Sequence, residues 1–174
     1  LILGDRSPDL GRAATGDRRS YSVVWDMNVL FEEYVGRVCQ DVLEPKGLDV
    51  DLQGDGSLHL AEEAETRRRT FLLKPDILVR KGRSPRVVAD TKWKRLDPRK
   101  ADLGVSGEDV YQVLAYAHRY ATGSAVLIYP HHASVGRPGI QRDFVIQGAG
   151  DSPVVVRVMT VDLARLEGVA RTVG

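Results

Sequence analysis

The chain has 174 residues, 43% of them hydrophobic and 28% charged; 25 Lys and Arg stand against 24 Asp and Glu, for a formal net charge of +1. That is enough chain for one sizeable core of ordinary globular composition, with no apolar run long enough for a membrane span or a signal peptide. The single cysteine excludes an intrachain disulfide and any four-cysteine metal site and fits a reducing cytoplasm, and the near-neutral balance leaves nucleic-acid binding to a local basic patch.

Residues 1–20, rich in Gly, Asp and Arg, read as a lead-in loop. Gly11 to Arg18 mimics the start of a phosphate-binding loop but lacks the Lys and Ser/Thr that would hold phosphate and magnesium. Residues 21–174 read as one domain, and because the chain opens on Leu1 it is expected to be the C-terminal part of something longer. Asp26 caps a helix to about Leu43, with Met27, Leu30, Phe31, Tyr34, Val35, Val38 and Val42 at helical spacing, and Pro45 and Gly47 end it. Val50 to Gln53 reads as a short strand, followed by a turn at Gly54-Asp55-Gly56. Ala61 to Arg69 fits either a helix or an edge strand. Leu72 to Val79 and Arg86 to Trp93 read as two strands joined by the loop Arg80 to Pro85. Asp97 to Gly107 reads as a mobile loop. Ser106 and Asp109 form a capping-box pattern for a helix to about Ala121. Ala125 to Tyr129 is a central strand, Phe144 to Ile146 and Val154 to Val161 are two more around a turn at Gly148 to Pro153, and Asp162 caps a last helix. The order predicts an α/β fold, a mixed central sheet flanked by helices.

The chemistry concentrates where two apolar runs turn polar. If the two central strands pair, Asp76 returns towards Asp90, and side-chain alternation puts Asp90 and Lys92 on one face. Two carboxylates and an ammonium at a sheet edge are the parts of a metal-dependent phosphodiesterase site. The acids would hold magnesium or manganese, and the lysine would orient water and offset charge. A surface salt bridge at a strand end is the plainer reading of an Asp-x-Lys triplet alone; Pro75-Asp76 on the preceding strand is what favours the site. On the next helix Val110, Val113, Leu114, Ala117 and Ala121 form a core stripe, while Gln112 and Tyr116, four apart, share a face away from it.

Pro75-Asp76, Asp90-Thr91-Lys92 and Gln112-x-x-x-Tyr116, in that order, resemble the PD-(D/E)xK nuclease superfamily with its downstream QxxxY motif. More narrowly, Met27-Asn28-x-Leu30-Phe31-Glu32-x-Tyr34-Val35, the run Asp90-Thr91-Lys92-Trp93-Lys94 and Asp109 to Ala117 are similar to the nuclease domain of McrC-type proteins. The resemblance covers about residues 21–130. It implies a restriction-endonuclease-like fold, metal coordination by Asp76 and Asp90 with support from Glu32, Lys92 as the catalytic lysine, and Gln112 and Tyr116 beside the site. Periodicity does not choose between Glu32 and Glu33; the resemblance does. It further implies a modification-dependent DNA endonuclease that acts on methylated double-stranded DNA with a GTP-hydrolysing, McrB-like AAA+ partner.

Lys94, Arg95, Arg99 and Lys100 flank the expected site and are candidate phosphate contacts. Arg67-Arg68-Arg69 is a second basic run, more ordinary as a solvated face. His131-His132 ends a strand and points two ways, so joint chelation is not expected. Cys39 reads as packing, and Trp93, opposite Lys92, as core. The rival functions are a repair or recombination nuclease of the same superfamily and a nuclease-like fold that only binds DNA or a partner.

Overall fold

A computed structural model describes residues 24–54, 56–147 and 152–164. Helix α1 runs Met27–Leu43, and Asp26 caps it by accepting the N–H of Asn28 at 2.9 Å. Phe31, Val35, Val38, Cys39 and Leu43 bury its inner face, each contributing roughly 1.5–3 kcal/mol of apolar burial. A single 3-10 turn at Glu44–Lys46 and Gly47, at φ 77°, stop the helix, as Pro45 and Gly47 predict.

Six strands form the main sheet: β1 (Asp49–Leu52), β4 (Ile77–Lys81), β5 (Ser84–Thr91), β6 (Ser124–Pro130), β7 (Gly139–Ile146) and β8 (Val154–Val161), in the order β1-β4-β5-β6-β8-β7. The sheet is mixed. β5, β6 and β8 run parallel, while β1, β4 and β7 pair antiparallel to their neighbours. Two short strands, β2 (His59–Glu62) and β3 (Arg69–Leu72), form a separate antiparallel hairpin. That resolves the ambiguous stretch after Leu58 as two strands and a turn. Helix α2 (Gly107–Arg119) crosses from β5 to its parallel neighbour β6.

Alternation along the central strands sends side chains into two cores. Ile77, Val79, Ala89, Val126 and Ile128 pack beneath α1, and Leu78, Val88, Leu127, Tyr129, Val156 and Val158 join the α2 side with Val113 and Ala117. The result is helix, sheet, helix. Gly36 lets α1 lie close to β1: a Cβ there would stand 2.8 Å from Leu52 Cδ2.

Several boundaries differ from the sequence reading. The run Leu72 to Val79 is not one strand. β3 ends at Leu72, and Leu73 to Asp76 form a connection before β4, because Pro75 has no N–H for a ladder. The predicted loop Arg80 to Pro85 is shorter, since Lys81 pairs with Ser84 around Gly82-Arg83 and Gly82 takes φ 61°. Asp97 to Gly107 is anchored rather than loose: Leu103 and Val105 are buried, and the N–H of Asp97 donates to the Leu103 carbonyl at 2.8 Å. β7 starts at Gly139, five residues before the predicted Phe144. Helix α2 ends at Arg119, short of Ala121. The lead-in segment 1–20, Asp55 in the first turn, most of the turn after Gln147 and the helix expected after Asp162 lie outside the described residues.

Candidate metal-dependent phosphodiesterase site

The open end of the β4–β5 hairpin and the start of α2 bring the chemical groups together. Ile77 pairs with Ala89, so one step further Asp76 stands across from Asp90. Asp76 is fixed by the backbone and side chain of the intervening residue: Thr91 N and Oγ1 each donate to Asp76 Oδ2 at 2.7 Å. The carbonyl of Asp76 accepts the N–H of Gln53 at 2.9 Å, which ties it to the end of β1.

Asp90 is the most buried acid of this site. It is 2% exposed, and the Lys92 ammonium stands 2.5 Å from its Oδ2. Burial, then the charge of Asp76, pushes the Asp90 carboxyl up to about 6, while Lys92 pulls the other way. A buried carboxylate is costly unless a cation offsets its desolvation, and Lys92 is such a partner here.

Lys92 lies just past β5 but is still held to the sheet by its N–H to the Ile128 carbonyl at 2.8 Å. Its ammonium donates to Gln112 Oε1 at 2.8 Å. Burial alone would lower its pKa, but the contact and charge of Asp90, followed by Asp109 and Asp76, outweigh burial and raise it. Gln112 in turn donates to the Tyr116 hydroxyl at 3.0 Å, which donates to the Lys74 carbonyl at 3.2 Å. A continuous path thus runs from the ammonium to the backbone two residues before Asp76. Gln112 and Tyr116 do share a face, but it is not away from the core: Tyr116 is 7% exposed and packs with Val113 and Ala117. The apolar stripe of α2 turns further towards the site than spacing suggests, because a tyrosine buries its ring and spends its hydroxyl on a backbone carbonyl.

Glu32 comes from the other side of the sheet, on α1. It is half-buried, Gln53 Nε2 donates to its Oε1, and burial followed by the charge of Asp76 raises its pKa. Glu33 is exposed. Glu32, Leu52, Gln53 and Asp76 line one cavity.

Among the described residues no group of three or more His, Cys, Asp or Glu is gathered closely enough to form a protein-only metal cage. The donor set still suits magnesium, which takes oxygen ligands and is commonly held by one or two carboxylates together with substrate phosphate. Asp76 and Asp90 would supply those carboxylates, with Glu32 lining the same cavity as Asp76.

Three of the four candidate phosphate contacts are engaged within the chain. Lys94 pairs with Asp109, Arg95 contacts His132 at 2.9 Å, and Arg99 pairs with Asp97 at 3.0 Å; Lys100 is exposed. Arg67 and Arg68 pair with Glu62 and Glu63 on their own hairpin, as a solvated face would. His131 and His132 diverge, one to Thr160 and the other to Arg95 and Ser134. Trp93 packs its ring against Phe31, centroids 5.4 Å apart. Sequence reasoning assigned no role in the site to Gln53, Thr91 or the carboxylate of Asp109. Thr91 carried a signal, since any residue between Asp90 and Lys92 offers its N–H at the same sheet end; Gln53 carried none.

The sequence model of the McrBC 5-methylcytosine restriction system component family matches residues 1–130, 130 of the chain's 174. The chain belongs to that family. Among curated proteins none matches. Among solved structures, this McrBC family member is similar to a chain of a refined half-complex from a tetradecameric assembly of Thermococcus gammatolerans McrB AAA+ hexamers with bound McrC. The TM-score is 0.55 at 23% identity, over 83% of this chain and 30% of that chain. At that identity the likeness is one of fold, and the McrBC family member spans less than a third of the chain it matches.

Proposed function

We propose that this McrBC family member is the nuclease part of a modification-dependent restriction system, a PD-(D/E)xK endonuclease domain that hydrolyses DNA phosphodiester bonds with a divalent metal. The observation that carries the reading is the convergence of Asp76, Asp90 and Lys92 at one sheet end, with Asp90 buried and its carboxyl pushed up to about 6 by burial and by Asp76.

Magnesium held there would supply the positive charge that a phosphodiester needs to accept a nucleophile. Lys92 offers an ammonium held on Gln112, placed to orient water and offset charge on the phosphate. The Gln112–Tyr116–Lys74 path keeps that ammonium in register with the segment that carries Asp76. Thr91 holds the Asp76 carboxylate against swinging away. Lys94, Arg95 and Arg99 would exchange their internal partners for phosphates of double-stranded DNA, and the exposed Lys100 would join them. An AAA+ GTPase of the McrB kind would deliver methylated DNA, since the sequence contains no complete nucleotide-binding motif of its own.

The test is cleavage of methylated duplex by the full-length protein with magnesium and its partner GTPase. Asp90→Ala and Lys92→Ala are each expected to lower cleavage by about a hundredfold or more while DNA association persists. Undiminished cutting by both variants would place the active site elsewhere.

A further inference from the structure

Asp109 is the one buried acid around Lys92 to which the chemistry above gives no task. By spacing it is the far end of a capping box with Ser106, where the acid side chain returns to the N-cap backbone. The structure divides the residue instead. Its N–H donates to Ser106 Oγ at 3.2 Å, and its carboxylate turns to the lysines. Lys94 Nζ donates to both oxygens, at 3.1 and 3.0 Å, and Lys92 Nζ stands 3.6 Å from Oδ1. Asp109 is 5% exposed whereas the Lys94 side chain is 56% exposed, so the acid is fixed and its outer partner is free to reach solvent. Burial and then the negative charge of Asp109, whose carboxylate the buried Tyr129 hydroxyl faces, raise the pKa of Tyr129. The Asp109 charge is therefore felt deep under α2.

Lys92 thus has three polar neighbours: neutral Gln112, and the anions Asp90 and Asp109. A cation at Asp90 would compete with Lys92 for that carboxylate and repel its ammonium. Gln112 offers a dipole only, so Asp109 is then the anion left within reach. We infer that Asp109 is a positioning residue that keeps the Lys92 ammonium at the reaction centre when Asp90 is engaged elsewhere, with Lys94 as its solvent-side counter-ion. The inference rests on the nuclease reading for its consequence, but not for the contact itself.

The test uses the full-length protein in two arms. In the first, magnesium-free protein with 15N-labelled lysine is compared by NMR, with the Lys92 ammonium signal assigned through Lys92→Arg. Asp109→Asn keeps the volume and the Ser106 cap, and should move the Lys92 signal while the melting temperature changes by no more than a few degrees. Lys94→Gln removes the nearer partner of Asp109, so the carboxylate should close on Lys92 and move the signal in the opposite sense. Should Asp109→Asn fail to fold, the Lys94→Gln arm alone decides, because Lys94 is exposed. In the second arm, with magnesium, partner GTPase and methylated duplex, Asp109→Asn should lower kcat at least about tenfold with KM within about twofold, and Asp109→Glu should recover part of the loss. An unmoved Lys92 signal overturns the inference, as does an unchanged kcat beside an active wild type. A wild type that cuts no DNA while its Lys92 signal still responds to Asp109→Asn would refute the nuclease reading and leave the hold on Lys92 supported.

Discussion

At Asp90 the cost of keeping a charge in a central strand is written into its proton affinity. Burial and the neighbouring Asp76 raise its pKa from 3.8 to about 6. The folded protein therefore holds the proton more tightly than the unfolded chain does. Metal-free stability should fall as pH rises from about 4 to about 6, and the full penalty should persist above that window. Asp90→Asn removes the penalty. It is expected to stabilise the metal-free protein at pH 7 by on the order of 1–3 kcal/mol and to flatten the pH dependence between those limits, measured by urea melts across the window. Magnesium should raise the melting temperature of the wild type at pH 7 and leave Asp90→Asn unmoved, because only a ligand that prefers the folded site stabilises it. A variant less stable than the wild type at pH 7 would mean that the Lys92 contact more than offsets burial.

Helix α2 carries the site's rigidity. The Tyr116 hydroxyl bonds two groups at once, the Gln112 amide on its own helix and the Lys74 carbonyl on the approach to β4. Tyr116→Phe keeps the ring in the core but leaves that carbonyl and one amide proton without a partner. It should cost about 1 kcal/mol of stability and lower kcat more than it raises KM, read from denaturant melts and cleavage kinetics. A change in stability with kcat untouched would make the path purely structural. The same helix marks how far the elements were legible. Local signals placed both helices, the Asp26 and Ser106 caps and Gly47, because capping and periodicity depend on near neighbours. Alternation also put Asp90 and Lys92 on one face. The burial of Tyr116, the Gln53–Glu32 contact and the turn of Asp109 towards Lys94 depend on residues 15 to 42 positions away, which no local period encodes. Pro75 was visible as a punctuation mark, yet the apolar run around it invited one long strand where the chain has a connection and then β4.

Across the whole molecule, charge sets how the proposed DNA substrate would be held. The net charge of +1 provides no general attraction, and of the four candidate phosphate contacts Lys94, Arg95 and Arg99 already contact internal partners. Binding a phosphate must displace those partners, so part of the Coulomb gain is lost in the exchange. If all four reach phosphates, counter-ion release gives a salt slope of roughly −4, and affinity for naked duplex should fall about a hundredfold between about 50 and 200 mM salt. The expectation is weak, salt-sensitive binding by the protein alone and little cleavage at physiological salt. Strong cleavage should appear only with the partner GTPase, nucleotide and methylated duplex, because delivery by a motor supplies the local concentration that this surface does not. The measurement is a salt titration of duplex binding by fluorescence anisotropy, followed by cleavage with and without the partner on plain and methylated DNA. A shallow salt slope with robust cutting that ignores both partner and methylation would favour a free-standing repair or recombination nuclease built on the same site.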